Sequence, residues 1–280
     1  MKNDNLGDRM KTYENVTRTY LTRRVPVIIR IDGKAFHSFT RNFEKPFDNV
    51  LVKTMQQTMK YLCENIEGCV LGYTQSDEIS LVLCDYKKLT SQAWFDNNIR
   101  KMCSVSASMA TMAFNKAFED NYNHWGMDNM PGWEYGGTNE EVDPHLMKLC
   151  GTYDKAKHNG AMFDSRAFNI PKEEVNNCLL WRQQDATRNS IQSVAQANFS
   201  HKQLQCKNCN ELQEMLWQEK GINWNDYPTH LKRGSCCIKQ QYEIETDGNK
   251  AMRSRWVIDN EIPIFSQDTD YVNSRITFEE

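Results

Sequence analysis

No apolar run in these 280 residues approaches the ~18–20 needed to cross a bilayer, so a membrane-spanning role is not expected. The first residues, Met1-Lys2-Asn3-Asp4-Asn5, lack the apolar core of a secretory signal. There are no internal repeats and no low-complexity linker, which argues against solenoids and bead-on-string arrangements. Excess charge of one sign is also missing. The net charge is −3, so any nucleic-acid partner must be held by local basic patches or by the combined surface of an oligomer. Cysteine, by contrast, is plentiful. Ten thiols without a secretory signal predict a reduced, cytoplasmic protein, with an organelle left open.

What is present is organised around Val27-Ile28-Ile29-Arg30-Ile31-Asp32-Gly33-Lys34-Ala35-Phe36-His37. A β-branched run reads as a buried strand, here about residues 25–31. It ends in a carboxylate followed by a residue free to turn. Such an end can face a cation, and amides exposed in the turn can face phosphate. Asp-Gly is also an ordinary turn. The partner some forty residues on, Gln75-Ser76-Asp77-Glu78, again lies between apolar runs.

Around these stretches the pattern predicts alternating elements. Residues 1–24 read as a solvated helix. Pro46-Phe47-Asp48 opens a second helix, with Asp48 as its N-cap and Gly68 beyond its end. Leu51, Met55, Met59, Leu62 and Ile66 share one face of it, a core stripe. Strands are expected at 69–73 and 79–83, joined by a tight hairpin with Gln75–Glu78 at its tip. A long helix over 91–119 would bury Met102, Val105, Met109 and Met112. Residues 121–159 read as a turn-rich insertion, followed by a strand at 161–168. The order β-α-β-β-α-β is the split βαβ, ferredoxin-like arrangement. The fold class expected is therefore α+β: a palm-like antiparallel sheet with helices on one face and C-terminal additions. Residues 1–170 would form the catalytic unit. Residues 171–280 would add a polar helix from Trp181 to about His201, a short helix around Leu212–Leu216 and a terminal hairpin at 238–244 and 256–258.

On this topology Asp32 and Asp77 project from neighbouring strands at one edge of the sheet. Two close carboxylates repel unless a cation sits between them. Mg²⁺ suits such oxygen ligands and keeps positions for water and phosphate. Two such ions can serve both the attacking and the leaving oxygen of a phosphoryl transfer. The residues alone thus point to palm-like nucleotidyl transfer. The competing readings are two turn aspartates on an unrelated α+β domain, or an RNA-binding sheet module. Such modules stack bases on aromatics of the central strands, and here those strands carry Ile28, Ile29, Val70 and Leu71.

Resemblance sharpens this. Arg30–His37 with Gln75–Glu78, Phe163-Asp164-Ser165-Arg166, Trp181-Arg182-Gln183-Gln184-Asp185 and Lys232-Arg233-Gly234 resemble the tRNA-His guanylyltransferase family, over about residues 13–234. That resemblance implies a palm enzyme adding nucleotides to the 5′ end of tRNA in the 3′-to-5′ direction, as a homotetramer. It implies two Mg²⁺ ions on Asp32, the Gly33 carbonyl and Asp77, with Glu78 in support. The triphosphate would be bound by Asp32, Gly33, Lys34, Ala35, Phe36 and His37, with Ser76 and Asp77. ATP would activate a 5′-monophosphate end, and GTP or another nucleoside triphosphate would be added.

One departure stands out. Family members proper carry a His-Ile-Asn-Asn-Leu-Tyr-Asn run after the Trp-Arg-Gln motif. Here it is Thr187-Arg188-Asn189-Ser190-Ile191-Gln192-Ser193. This resembles the branch that repairs 5′-truncated tRNA by templated addition rather than strictly adding G to tRNA-His. Lys155, Lys157, Arg166, Arg182, Arg188, Asn189, Lys232 and Arg233 are candidate RNA or phosphate contacts. Cys206 and Cys209 have metal-ligand spacing, but no second such pair exists, and free thiols are expected.

Overall fold

The computed structural model describes residues 5–130, 133, 143–246 and 249–278. Helix α1 (Leu6–Asn15) has no buried residue, as expected of a solvated helix. Strand β1 (Val27–Gly33) runs through the middle of the molecule and leads into the short helix α2 (Phe36–Phe39). Helix α3 (Asn49–Asn65) is capped by Asp48, whose carboxylate accepts the Leu51 amide at 2.9 Å. Met55, Met59, Leu62 and Ile66 are buried, so the predicted stripe is core. Strands β2 (Cys69–Gln75) and β3 (Glu78–Leu83) form the hairpin. At Gly72 a Cβ would meet the Met59 and Cys63 side chains, which fixes how closely α3 lies on β2.

Two expectations are corrected. Helix α4 covers Ile99–Asn129, not 91–119. Its start is set by Asn98, which accepts the Lys101 amide at 3.1 Å, after residues 95–97 turn left-handed. Its buried face is Met102, Ser106, Ala110, Phe114, Phe118, Tyr122 and Gly126, a strict four-residue spacing; Met112 is 56% exposed. Met102 is on that face as expected and Val105 and Met109 pack partly buried against the core, while the rest of the stripe is small and aromatic. Secondly, much of 121–159 is helical. Helix α5 (Pro144–Asn159) opens with Asp143 as N-cap and Pro144 in its first turn, and it buries Leu149, Tyr153 and Ala156. Its cap residues resemble a turn in sequence. The Pro131-Gly132 and Gly136-Gly137 turns lie outside the described residues.

Strand β4 (Phe163–Asn169) is followed by helices α6 (Val175–Asn198), α7 (His201–Leu204), α8 (Cys209–Lys220) and α9 (Thr229–Arg233). Strands β5 (Ser235–Thr246) and β6 (Asn249–Asp259) and the short helix α10 (Asp270–Asn273) complete the chain. The sheet is antiparallel throughout, in the order β4-β1-β3-β2-β5-β6.

Alternation along the strands assigns the two faces. Val27, Ile29, Ile31, Ile79 and Leu81 face α3 and α4 in one core. Ile28, Leu71, Tyr73 and Val82 face the start of α6 and the C-terminal segment in a second core. The C-terminal additions thus cover the face that the split βαβ unit leaves open. Because side chains alternate, Arg30 and Asp32 stand on the α6 side with Ile28, at the end of β1 where that cover stops.

Candidate active site

The β1–β3 register pairs Asp32 with Glu78, and the Gly33 amide donates to the Asp77 carbonyl at 3.1 Å. The β2–β3 hairpin is thereby tied to the end of β1, and Asp32 and Asp77 meet as expected. Both are half-buried. Burial, and then the charge of Asp32, raise the Asp77 carboxyl, while the Ser76 hydroxyl, donating at 3.0 Å, lowers it. Ser76 holds a left-handed φ of 49°, costly for a residue with a Cβ, which sets Asp77 at the hairpin tip.

The turn after β1 is locked from below. A Cβ on Gly33 would overlap the Phe36 ring, and Ala35 is left-handed at φ 52°. The Lys34 amide is engaged by the Met162 carbonyl at 2.8 Å. That leaves the amides of Ala35, Phe36 and His37, at the start of α2, without intrahelical acceptors. They border a cleft of about 420 Å³ lined by Gly33, Ala35, Phe36, His37, Thr40, Leu51, Ser76 and Asp77. A second hollow of about 270 Å³ shares Thr40, Leu51 and Ser76 and continues to Gln75, Asn189, Ser193 and His230. Asp32 stands beside this cleft, on the α6 side of the same strand end.

Among the described residues no three His, Cys, Asp or Glu side chains converge on one point. A cation here would rest on two carboxylates, the Gly33 carbonyl and substrate phosphates. Such a hard, incomplete oxygen set fits Mg²⁺.

With this geometry in hand, the comparisons with known proteins are direct. The sequence profile described as tRNAHis guanylyltransferase (Thg1) matches residues 7–171. The chain belongs to the Thg1 family. Its members are nucleotidyltransferases. A solved bacterial Thg1-like protein in complex with ATP is 44% identical, with TM-score 0.78, covering 98% of this chain and 100% of that one. Another, in complex with GTP, is 42% identical with TM-score 0.73, covering 98% and 99%. The tRNA(His) guanylyltransferase of Schizosaccharomyces pombe is 28% identical over 249 residues, 84% of this chain and 81% of the relative.

Other candidate residues fare unevenly on the Thg1 fold. Arg182 is a correction. It is buried, donating to Glu78 and to Asp185 at 2.8 Å each, so no guanidinium is left for RNA. Glu78 correspondingly turns to Arg182. Burial raises its carboxyl and Arg182 lowers it. Lys232 is a second correction: it is buried, its ammonium donating to the Asn225 carbonyl at 2.6 Å over the Trp224 ring. Nothing in the Lys232-Arg233-Gly234 run shows which of its cations is pinned inside.

Arg188 pairs with Asp185 yet remains exposed, Asn189 lines the second hollow, and Arg166 pairs with Asp164 at 3.3 Å on the surface. Lys157 pairs with Glu119 at 2.9 Å, and Lys155 is exposed. Arg233 is half-buried, and its carbonyl accepts the Tyr73 hydroxyl. Cys206 and Cys209 are free thiols, as are the other eight cysteines.

Several residues were missed. His230 lines the second hollow, and its buried Nδ1 has no hydrogen-bond partner among the described residues. The β5–β6 hairpin is longer than the pattern suggested, and it puts Gln240, Tyr242, Arg253 and Arg255 on one face. Arg255 lies over the Tyr242 ring at 5.3 Å. Only the full-length pairing shows that they share a face.

Proposed function

We propose that this chain adds nucleotides to the 5′ end of tRNA in the 3′-to-5′ direction, and that its substrates are 5′-truncated tRNAs copied against the opposing strand. The observation that carries this is the joining of Asp32 and Asp77 beside a turn whose free amides border a cleft of about 420 Å³. Nucleoside triphosphates fit there, as the ATP and GTP complexes of the similar bacterial proteins suggest.

In this reading a 5′-monophosphate oxygen of the RNA attacks the α-phosphorus of ATP and pyrophosphate leaves. The 3′-hydroxyl of the incoming nucleotide then attacks the RNA's 5′ phosphorus, and AMP leaves. A 5′-triphosphate end skips the first step and releases pyrophosphate. Asp32, the Gly33 carbonyl and Asp77 would hold two Mg²⁺ ions, whose charge would supply activation of the hydroxyl and stabilisation of the leaving group. The amides of Ala35, Phe36 and His37, with Ser76, would orient the triphosphate. Lys34 and the His37 imidazole are solvent-facing and would meet its outer oxygens.

Templated repair is favoured by the run from Thr187 to Ser193. Ser190 is buried and accepts the Trp224 indole N–H at 3.0 Å, so that part of α6 is used for packing. Within the run, Asn189, Ser190 and Ser193 line the hollow. A strict guanylyltransferase is the second reading, favoured by the named activity of the curated relatives. Ten free thiols support a reducing, cytoplasmic setting, and a homotetramer is proposed on the family's pattern, to be checked by light scattering. Among the described residues no helix is long and apolar enough to cross a membrane.

The test is incubation with a tRNA lacking its first nucleotide, ATP, labelled nucleoside triphosphates and Mg²⁺. Extension that EDTA abolishes supports the proposal. Folded protein that binds RNA but labels neither monophosphate nor triphosphate ends would make it an RNA-binding module instead.

A further inference from the structure

A two-substrate transfer needs two approaches to the same carboxylates. The cleft at Gly33–His37 supplies one of them, on the side that Asp77 lines. Asp32 faces the other way. On that side, two residues back along β1 and so ~6.6 Å away, stands Arg30. It is half-buried, and among the described residues no carboxylate lies within ion-pairing distance of it. Its guanidinium lies 5.3 Å from the ring centroid of Trp181.

Trp181 is the unusual feature. It sits on α6 between half-buried Leu180 and buried Arg182, yet it is itself 52% exposed. The Arg182 guanidinium also lies over its ring, at 4.4 Å, and Arg182 is in turn fixed by Glu78 and Asp185. An exposed indole normally costs solvation and drifts among rotamers. This one is anchored by a buried ion-pair network. Arg166 lies across from Arg30 on β4, with only a surface pair to Asp164, an interaction easily exchanged for phosphate. A rigid aromatic side chain flanked by guanidinium groups is the chemistry that takes an unstacked base and its phosphate.

We propose that Trp181 and Arg30 form the seat of the RNA's 5′-terminal nucleotide. Its base stacks on the indole, and its phosphate lies between Arg30 and Asp32, so that the triphosphate cleft and the RNA end approach the carboxylates from opposite sides. This rests on the reading of an RNA 5′ end as substrate. Both are positioning residues. Neither touches the bond that changes.

The test uses the full-length protein and a truncated tRNA with 2-aminopurine as its 5′-terminal nucleotide, without nucleoside triphosphate. Binding to the unaltered protein should quench the probe. Trp181→Ala should abolish the quench and weaken binding at least ~5-fold, Trp181→Phe should retain part of both, and ATP affinity by equilibrium dialysis should not move. Arg30→Lys should weaken binding of 5′-phosphorylated RNA more than of 5′-hydroxyl RNA. An unchanged quench and affinity in a folded Trp181→Ala protein, or an equal Arg30→Lys effect on both RNAs, would overturn the proposal. The two readings separate cleanly. Quenching at Trp181 without transfer of label would sink the enzymatic reading and leave this one. Transfer of label with no quench would do the reverse.

Discussion

The Arg182 guanidinium donates to the Glu78 carboxylate at 2.8 Å, joining the middle of α6 to the residue that follows Asp77. Both side chains are only 10–11% exposed. Removing one partner of a buried pair leaves the other charge without compensation, which costs about 3–5 kcal/mol. Arg182→Ala is therefore expected to lower stability by that order, read as a shift of the denaturation midpoint. A midpoint within error of the parent would mean that water replaces the pair.

Asp32 and Asp77 should behave in the opposite way. Each is half-buried beside the other, so removing one relieves repulsion and stability should hold or rise. Nucleotide addition should fall at least ~10²-fold, about 2.7 kcal/mol of barrier. Asp32→Ala and Asp77→Ala are to be compared by extension assay and thermal melting. Near-parental activity in either would remove that residue from the site.

Asp48 gives a pH prediction. It caps α3, accepts the Tyr153 hydroxyl at 2.6 Å, and has its carboxyl raised by burial, against the lowering effect of that hydroxyl and of nearby amides. A folded-state value above the ordinary 3.8 means that its contribution to stability is fully present below 3.8 and is lost as pH rises through the folded value. Tyr153→Phe removes one lowering influence and raises the carboxyl further. The variant's deficit, about 1.5–3 kcal/mol for a bond to a charged group, should thus be full at neutral pH and shrink on acidification. Urea unfolding at pH 7.5 and 4.5 would show it; equal deficits at both would contradict the charge account.

The β5–β6 hairpin offers a salt-dependence test. If Arg253 and Arg255 meet tRNA phosphates, the double change to Glu should weaken tRNA binding and flatten the slope of log K against log salt by roughly 0.7–0.9 per lost contact. An unchanged slope would take the hairpin out of RNA binding.

The proposal of template use rests on the altered run at Thr187–Ser193. One truncated tRNA body carrying each of the four bases at the opposing position should receive the complementary nucleotide each time and stop at full stem length. Addition of G whatever the opposing base, with tRNA-His preferred, would establish strict guanylyl transfer.

Much of this fold was legible because its signals are local. The β-branched run before Asp32, the Asp48 cap and the Met55–Met59–Leu62 stripe each depend on a few neighbouring residues. The paired carboxylates were legible too, since the split βαβ order sets β3 beside β1 and so brings residue 77 to the end of β1. What the sequence withheld was long-range. Nothing near Arg182 says that Glu78, 104 residues earlier, will neutralise it, and nothing near Lys232 says that it lies buried over Trp224. Helix α5 was hidden because its cap, Asp143-Pro144, has the composition of a turn. Part of its partner surface, Tyr122 and Trp125 of α4, lay in the stretch read as a turn-rich insertion.

Phe36 lies three residues past Gly33, and its ring begins a chain of aromatic contacts: Phe36 to Phe39 and Phe114, Phe39 to Phe43 and Phe118, Phe43 to Tyr153. The turn beside the carboxylates is thus the outermost stone of an arch whose footing is the interior itself. Wear at a distant stone such as Phe118 would settle the arch by fractions of an ångström long before it fell. The chain would then still melt as a folded protein while losing its grip on nucleotide, and core variants with near-normal spectra and poor turnover are what this architecture should produce.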